Sequence, residues 1–561
     1  MDLTGIENWD AGELDTIATH LDVRSPGELS DVLATADRLP AWFAAGDDSP
    51  LMSDRPADQL DTAAAVGAAR RLAMDTSVAV GHLHTRLAAL RGMAGASSMT
   101  IAPDGSVTGD PAAPDPATDP QRNRLRSRLE VSARALIDQA DDVVAEADRI
   151  LTAIRDGRIS ARAASNVADA LQIGATQGGL VPAPPPKGAT PAAVRADWDA
   201  LPADQQRALI ATHPEWLGNA PGIPSDVRHE VNLSRLAGVR SHLREVRDRM
   251  RKQVDRHLFG GLFTNEDAGL KQVERKIADV ERLQELIGDK PWSRQNPDGR
   301  MLLLLDMASG EQGKAAVAIG NPDDADHVSV TTPGMDTNIR DSFPGAMGEI
   351  ESLRDEAYRQ LRLTPGRHGE TVSTIMWLGY EPPDNRGTRL PGWSFFEVAQ
   401  QDRATNGAPD LVEFYRGLDA TSNKDDPHLS AFGHSYGSLT QGIALQQPGG
   451  HPIDDAAFYG SPGFEAGTEA ELGLAPGHGF VMQGDRDWIA KFQTRKRFGL
   501  NGPAPLTTNL RRLDVNPRTT PDGIEREGAH THADYPRNGS NWQLRVSGYH
   551  LARILAGLPP D

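Results

Sequence analysis

A serine held between two glycines, in Gly433-His434-Ser435-Tyr436-Gly437, is the residue of this chain best suited to act as a nucleophile. Such a serine functions on a sharp, strained turn between a buried strand and a helix. Leu429-Ser430-Ala431-Phe432 reads as that strand, and Ser438 to Leu445 as that helix. The glycines are needed because a side chain at either position would clash in so tight a turn. His434 lies inside the motif, but its place beside the serine directs it away from the chemistry, and it reads as a packing residue.

A serine hydroxyl is a weak nucleophile until a base takes its proton, so a histidine and an orienting carboxylate should follow. The order along the chain is then serine, acid, histidine. The acid belongs just after a late strand, and Phe480-Val481-Met482-Gln483 runs into Gly484-Asp485-Arg486-Asp487-Trp488-Ile489. A Gly-x-x-Asp ahead of an apolar pair selects Asp487. Asp485 is the alternative, able instead to pair with Arg486 or cap the turn. The histidine should sit on the loop before a final helix expected from Trp542 to Leu558. His532 is preferred there, with His530 as the alternative, while His550 falls mid-helix as a packing residue. His530-x-His532-x-Asp534 also resembles a metal cluster, but a divalent site needs further convergent ligands that are not visible nearby. Neither a metal nor a cofactor is expected. Two backbone N–H groups should receive the oxyanion of a tetrahedral intermediate. They are assigned to Tyr436, after the serine, and to Met335 in Thr332-Pro333-Gly334-Met335-Asp336, after the third strand.

The elements that must position these residues are legible as apolar patterns. Short β-prone runs cover Met301–Leu305, Ala315–Ile319, His327–Thr331, Val372–Leu378, Leu429–Phe432, Ala456–Tyr459, Phe480–Met482 and Leu510–Val515. Helix-length segments separate most of them, which predicts parallel βαβ units, while the first two are close enough to form a hairpin. Upstream the pattern is helical. Residues 1–95 and about 121–156 carry apolar stripes at helical spacing, with a small hairpin or loop at 96–120 around Asp104-Gly105. A Pro-rich linker is expected at 178–194. It divides a helical N-terminal domain (1–177) from a mixed α/β domain (195–561). Two further helical stripes within 228–289 predict an antiparallel hairpin whose apolar loop, Phe259 to Phe263, is either a lid tip or a buried turn.

Bulk composition excludes several roles. A formal charge of −20 argues against nucleic acid and against simple docking to anionic lipid. The chain has no cysteine, which excludes disulfides, thiolate nucleophiles and Cys-ligated metals. No apolar run is long enough to span a bilayer, and Met1-Asp2-Leu3-Thr4-Gly5 does not open a signal peptide, so the chain reads as soluble and cytoplasmic by default.

Several phrases resemble one family of actinobacterial α/β-hydrolases long catalogued as a domain of unknown function. They are Trp198-Asp-Ala-Leu-Pro-Ala-Asp-Gln-Gln-Arg-Ala-Leu-Ile210, Pro214-Glu-Trp-Leu-Gly-Asn219, Gly222-Ile-Pro-Ser-Asp-Val-Arg228 and Asp326-His-Val-Ser-Val-Thr-Thr-Pro-Gly-Met335. Trp377-Leu-Gly-Tyr-Glu-Pro382, the Gly433–Gly437 motif, Gly460-Ser-Pro-Gly463 and His532-Ala-Asp-Tyr535 complete the set, spanning about 195–558. The resemblance implies an α/β-hydrolase fold, with an eight-stranded, mostly parallel sheet, and a triad on Ser435, His532 and Asp487. Family members carry a Gly-Asp-Pro-like turn at the acid where this chain has Gly484-Asp485-Arg486-Asp487, which keeps Asp485 open. Residues 1–160 resemble, more distantly, the helical WXG-type modules of type VII secretion substrates through Trp9-Asp10-Ala11-Gly12, implying export by that route as an alternative.

The expected activity is hydrolysis of a small-molecule or lipid ester through an acyl-enzyme. Acyl transfer or amide hydrolysis by the same triad is the alternative, and a secreted helical interaction protein with an incidental hydrolase fold is a third reading.

Overall fold

A computed structural model describes residues 2–22, 59–109, 120–161, 164–180, 188–201, 203–256, 269–383, 399–491 and 502–561. Two compact units divide them: Met1–Ala189 with Ala200–Leu209, and Thr190–Asp199 with Ile210–Asp561. In the first unit a 38-residue helix, Gln59–Ala96, and a 36-residue helix, Pro120–Arg155, flank a two-stranded hairpin, Met99–Ile101 with Val107–Gly109. The hairpin turns at Gly105, whose φ of 80° suits glycine. Residues 181–187 of the Pro-rich stretch lie outside the described residues, and its end is already helical, because Pro191 opens the helix Pro191–Ala200. No helix among the described residues is long and apolar enough to cross a membrane.

The second unit is built on one eight-stranded sheet. In chain order its strands are β1 (Arg300–Asp306), β2 (Lys314–Ile319), β3 (His327–Thr332), β4 (Val372–Leu378), β5 (His428–His434), β6 (Asp455–Tyr459), β7 (Gly479–Met482) and β8 (Arg511–Arg512). Their spatial order is β8-β7-β6-β5-β3-β4-β2-β1. Only β2 runs antiparallel to its neighbours β1 and β4; the remaining pairs are parallel. This is the α/β-hydrolase fold. β3, β4 and β6 are buried along their whole length, as strands covered on both faces must be. Alternate residues feed two cores. Ala456 and Phe458 join Leu411, Phe414 and Leu439 on one face, while Ala457 and Tyr459 join Leu353, Leu361 and Leu551 on the other. The final helix is Val546–Leu555 rather than the predicted Trp542–Leu558. Trp542 takes a φ of 61°, and Gly539 N–H donates to the Gln543 carbonyl, so a tight turn occupies what the apolar spacing reads as the first helical turn.

The edge strand β1 needs its outward backbone groups satisfied. Asn219 does this like a short strand, its side-chain amide donating to the Leu305 carbonyl (2.9 Å) and accepting from Leu305 N–H (2.8 Å). Asn232 donates to the Leu302 carbonyl, and His229 Nδ1 accepts Leu302 N–H at 3.0 Å. Asn232 and His229 stand on the helix Ser225–Arg256, which with Leu270–Asp289 forms the predicted hairpin. Its two shafts are thus seated on β1, four strands from β5 in the sheet order, and the Phe259–Phe263 loop lies outside the described residues.

A nitrogen that accepts a backbone N–H has to be unprotonated, and burial pushes His229 down to about 4 from its ordinary 6.5. An unfolded chain takes this proton below pH 6.5, the native one only below about 4, so acid favours the unfolded state across that window. Each pH unit is worth about 1.4 kcal/mol, giving a loss approaching about 3 kcal/mol at pH 4. His229→Gln should therefore destabilise the protein at pH 7 and progressively less as the pH falls to 4. Urea unfolding at stepped pH measures this, and a stability difference that stays constant with pH would contradict it.

Candidate active site

β5 ends at His434 and the helix Tyr436–Leu445 begins two residues later, leaving Ser435 alone in the turn at φ 53° and ψ −127°. The second glycine, Gly437, is forced by close approach, since a Cβ there would stand 2.1 Å from the Thr332 carbonyl oxygen and 2.5 Å from that of Pro333. Those carbonyls belong to the turn leaving β3. The next residue, Gly334, lies directly against the serine, where an added Cβ would meet Ser435 Cβ at 2.6 Å and Oγ at 3.1 Å. Met335 follows, half-buried, and Tyr436 opens the helix, where a first-turn N–H has no intrahelical acceptor.

The two candidate acids and two candidate histidines sort into separate pairs. His532 Nε2 lies 2.8 Å from Ser435 Oγ, and its Nδ1 lies 2.9 Å from Asp487 Oδ1. A carboxylate can only accept here, so Nδ1 carries the proton and Nε2 is left to accept from the serine hydroxyl. His530 Nδ1 instead meets Asp485 Oδ1 at 2.7 Å, with the Asp485 side chain 64% exposed. Asp534 takes the backbone N–H groups of His530 and Thr531 (3.0 and 2.7 Å), so the three members of His530-x-His532-x-Asp534 go to three different partners. His550 is buried on the final helix against the Asp514 carbonyl.

Burial raises the Asp487 carboxyl, but donors from His532 and Tyr535 outweigh it and hold the group below the usual carboxylate range. Ile489 N–H adds a third bond at 3.0 Å to Oδ1. Tyr535 O–H donates to Oδ2 at 2.6 Å while accepting Gly484 N–H at 2.9 Å, so one phenol fixes both the carboxylate and the turn that carries it. Gly460, at φ 55°, leaves room for this cluster: a Cβ would fall 3.1 Å from Asp487 Oδ2 and 3.2 Å from His532 Nδ1.

Two side chains here do more than the sequence assigns them. Tyr535 is one; its signal is an aromatic with a polar tip three residues after His532. His434 is the other. Its ring lies 4.9 Å from that of His532 and its Nε2–H donates to the His532 carbonyl at 2.9 Å, so it holds His532 in addition to packing. Burial, reinforced by the neighbouring His532, pushes His434 down to about 4. The Trp488 ring lies 4.9 Å from that of His532, tilted by 53°, and is 42% exposed.

Residues 309–496 match the model of an alpha/beta hydrolase family. Uncharacterized proteins of Mycobacterium bovis and Mycobacterium tuberculosis are 36% identical over 255 residues, covering 45% of this chain and 88% of each relative. A further uncharacterized protein of M. tuberculosis is 29% identical over 311 residues, 54% of this chain and 45% of that one. Among solved structures, esterase PE8 matches 36% of this chain and 88% of its own at 15% identity and a TM-score of 0.21. A hyperthermophilic esterase from the archaeon Pyrobaculum calidifontis matches 56% of this chain and 96% of its own at 10% identity and a TM-score of 0.25. By its extent of identity with the mycobacterial proteins, and by its match to the family model, the chain belongs to this alpha/beta hydrolase family.

Proposed function

We propose that this protein is a serine hydrolase that cleaves carboxylic esters, with residues 195–561 as its catalytic domain and Ser435, His532 and Asp487 as its triad. The observation that carries the reading is the unbroken line Ser435 Oγ–His532–Asp487 at 2.8 and 2.9 Å, on a serine whose backbone is strained as a nucleophile on such a turn requires. His532 Nε2 takes the hydroxyl proton as Oγ bonds to the ester carbonyl carbon. The oxyanion is received by backbone N–H groups of Tyr436 and Met335. The C–O bond to the alcohol breaks as Nε2 returns the proton to it, leaving an acyl-serine. Water then repeats the sequence, giving up its proton to Nε2, and the acid departs as Oγ is reprotonated. Asp487 holds the tautomer and stabilises the imidazolium without itself taking a proton.

A fluorophosphonate probe should label the wild-type chain at Ser435 and leave folded Ser435→Ala unlabelled. Turnover of short p-nitrophenyl esters should fall in the variant by at least about 10⁴-fold. A folded wild-type chain that resists the probe would favour an interaction protein that merely retains the fold.

The choice of acid has its own test. Asp487→Asn leaves the imidazole in the wrong tautomer and should lower kcat by about 10⁴-fold. Asp485→Asn, which disturbs only the exposed pair with His530, should change it less than about threefold. Comparable losses in both variants would refute the assignment of Asp487.

A further inference from the structure

The turn between β3 and Met335 has no regular secondary structure to hold its shape, yet the proposed reaction needs its backbone fixed over Ser435. The segment leaving β4 grips this turn at both ends. Tyr380 O–H donates to the Pro333 carbonyl at 2.6 Å, and the Pro383 carbonyl accepts Asp336 N–H at 2.9 Å. Asp336 itself stands at φ 63°, a conformation a residue with a side chain keeps only when its surroundings insist. Tyr380 is 2% exposed and has little freedom to swing away. Its ring is stacked nearly parallel between Trp377 (6.1 Å) and Tyr436 (6.2 Å), and the helix Ala399–Thr421 presses on it through Gly407, where a Cβ would sit 2.5 Å from Tyr380 Cβ.

The Pro333 carbonyl therefore lies wedged between the Tyr380 hydroxyl and the Cα of Gly437. The C=O and N–H of a trans peptide point in opposite directions, so anchoring this oxygen fixes the rotation of the Pro333–Gly334 peptide plane and the path of the chain into Met335. Without the phenol the oxygen would be a buried acceptor lacking its donor, and the plane would be free to turn in search of another.

We propose that Tyr380 is a positioning residue for the oxyanion site, holding the Pro333–Gly334 peptide so that the backbone over Ser435 is set before substrate arrives. The inference rests on the serine-hydrolase reading. Its own signature is a loss of affinity for tetrahedral species with little change for the ground state.

Tyr380→Phe should lower kcat with a p-nitrophenyl ester about 10- to 100-fold, less than the 10²–10³ of deleting a donor outright, with KM nearly unchanged. Affinity for a trifluoromethyl ketone, which Ser435 converts to a tetrahedral adduct, should fall by the same factor. Tyr380→p-aminophenylalanine, which restores a donor at the same place, should recover both. Should Tyr380→Phe yield too little folded protein, Tyr380→p-methylphenylalanine fills the hydroxyl's volume without a donor and is compared with the amine in its place. A donor-free variant with kcat within about threefold of wild type overturns the proposal, as does a fall in kcat with ketone affinity intact. Fluorophosphonate labelling of Ser435 in the wild type keeps the two questions apart: its absence removes the hydrolase reading, whereas its presence beside an inert Tyr380→Phe removes this inference alone.

Discussion

Everything around the site depends on holding one residue, Ser435, in a conformation it would not choose. A non-glycine residue at φ 53° and ψ −127° costs on the order of 1–3 kcal/mol and persists only where neighbours over-determine it. Here β6 and the helix Tyr436–Leu445 supply them. Ser435 N–H donates to the Tyr459 carbonyl (3.1 Å), while the Ser435 carbonyl receives Ser438 N–H (3.0 Å) and the Ser438 hydroxyl (2.5 Å). Ser438 is met in turn by the Ser461 hydroxyl at 2.6 Å, and Ser461 accepts Gly463 N–H. The phrase Gly460-Ser-Pro-Gly463, on leaving β6, thus braces the turn at Ser435 and, through Gly460, makes room for Asp487 and His532.

The two histidine–carboxylate pairs show where spacing stops being informative. Both pairs, Asp485–His530 and Asp487–His532, are separated by the same 45 residues. They are successive rungs between one pair of segments, linked by Arg486 N–H on the His530 carbonyl. No count along the chain distinguishes them. Depth does, since the Asp485 side chain is 64% exposed whereas that of Asp487 is fully covered and receives three donors. That depth comes from Tyr535, Gly460 and the end of β7, which lie far apart in sequence.

The same division runs through the fold. Seven of the eight strands are short, largely buried apolar runs punctuated by turn residues and are legible as such, whereas the eighth, expected at Leu510–Val515, is only the exposed pair Arg511–Arg512; the Gly433–Gly437 motif announces its own turn. Features set by long-range partners were not legible. The start of the last helix is hidden because a turn at Trp542 imitates helical spacing. The hairpin within 228–289 was readable as two stripes, but its seat on β1 depends on Asn232 and His229 finding the backbone of Leu302. Polar residues at helix-surface spacing carry no mark of such a task.

His434 shows how a neutral group can serve a charged intermediate. In the proposed reaction His532 becomes an imidazolium whose ring centre is 4.9 Å from that of His434. A second positive charge there would oppose it by about 3 kcal/mol at an effective dielectric near 20, enough to slow acylation by some two orders of magnitude. Burial prevents this by keeping His434 uncharged down to about pH 4, while the bond from its Nε2–H fixes the His532 backbone. Asp487 does the converse on the other side, remaining a carboxylate despite its depth because three donors hold it so. The imidazole is therefore flanked by one group that must stay neutral and one that must stay ionised, and the packing of β5, β6 and the Tyr535 loop around it maintains both conditions.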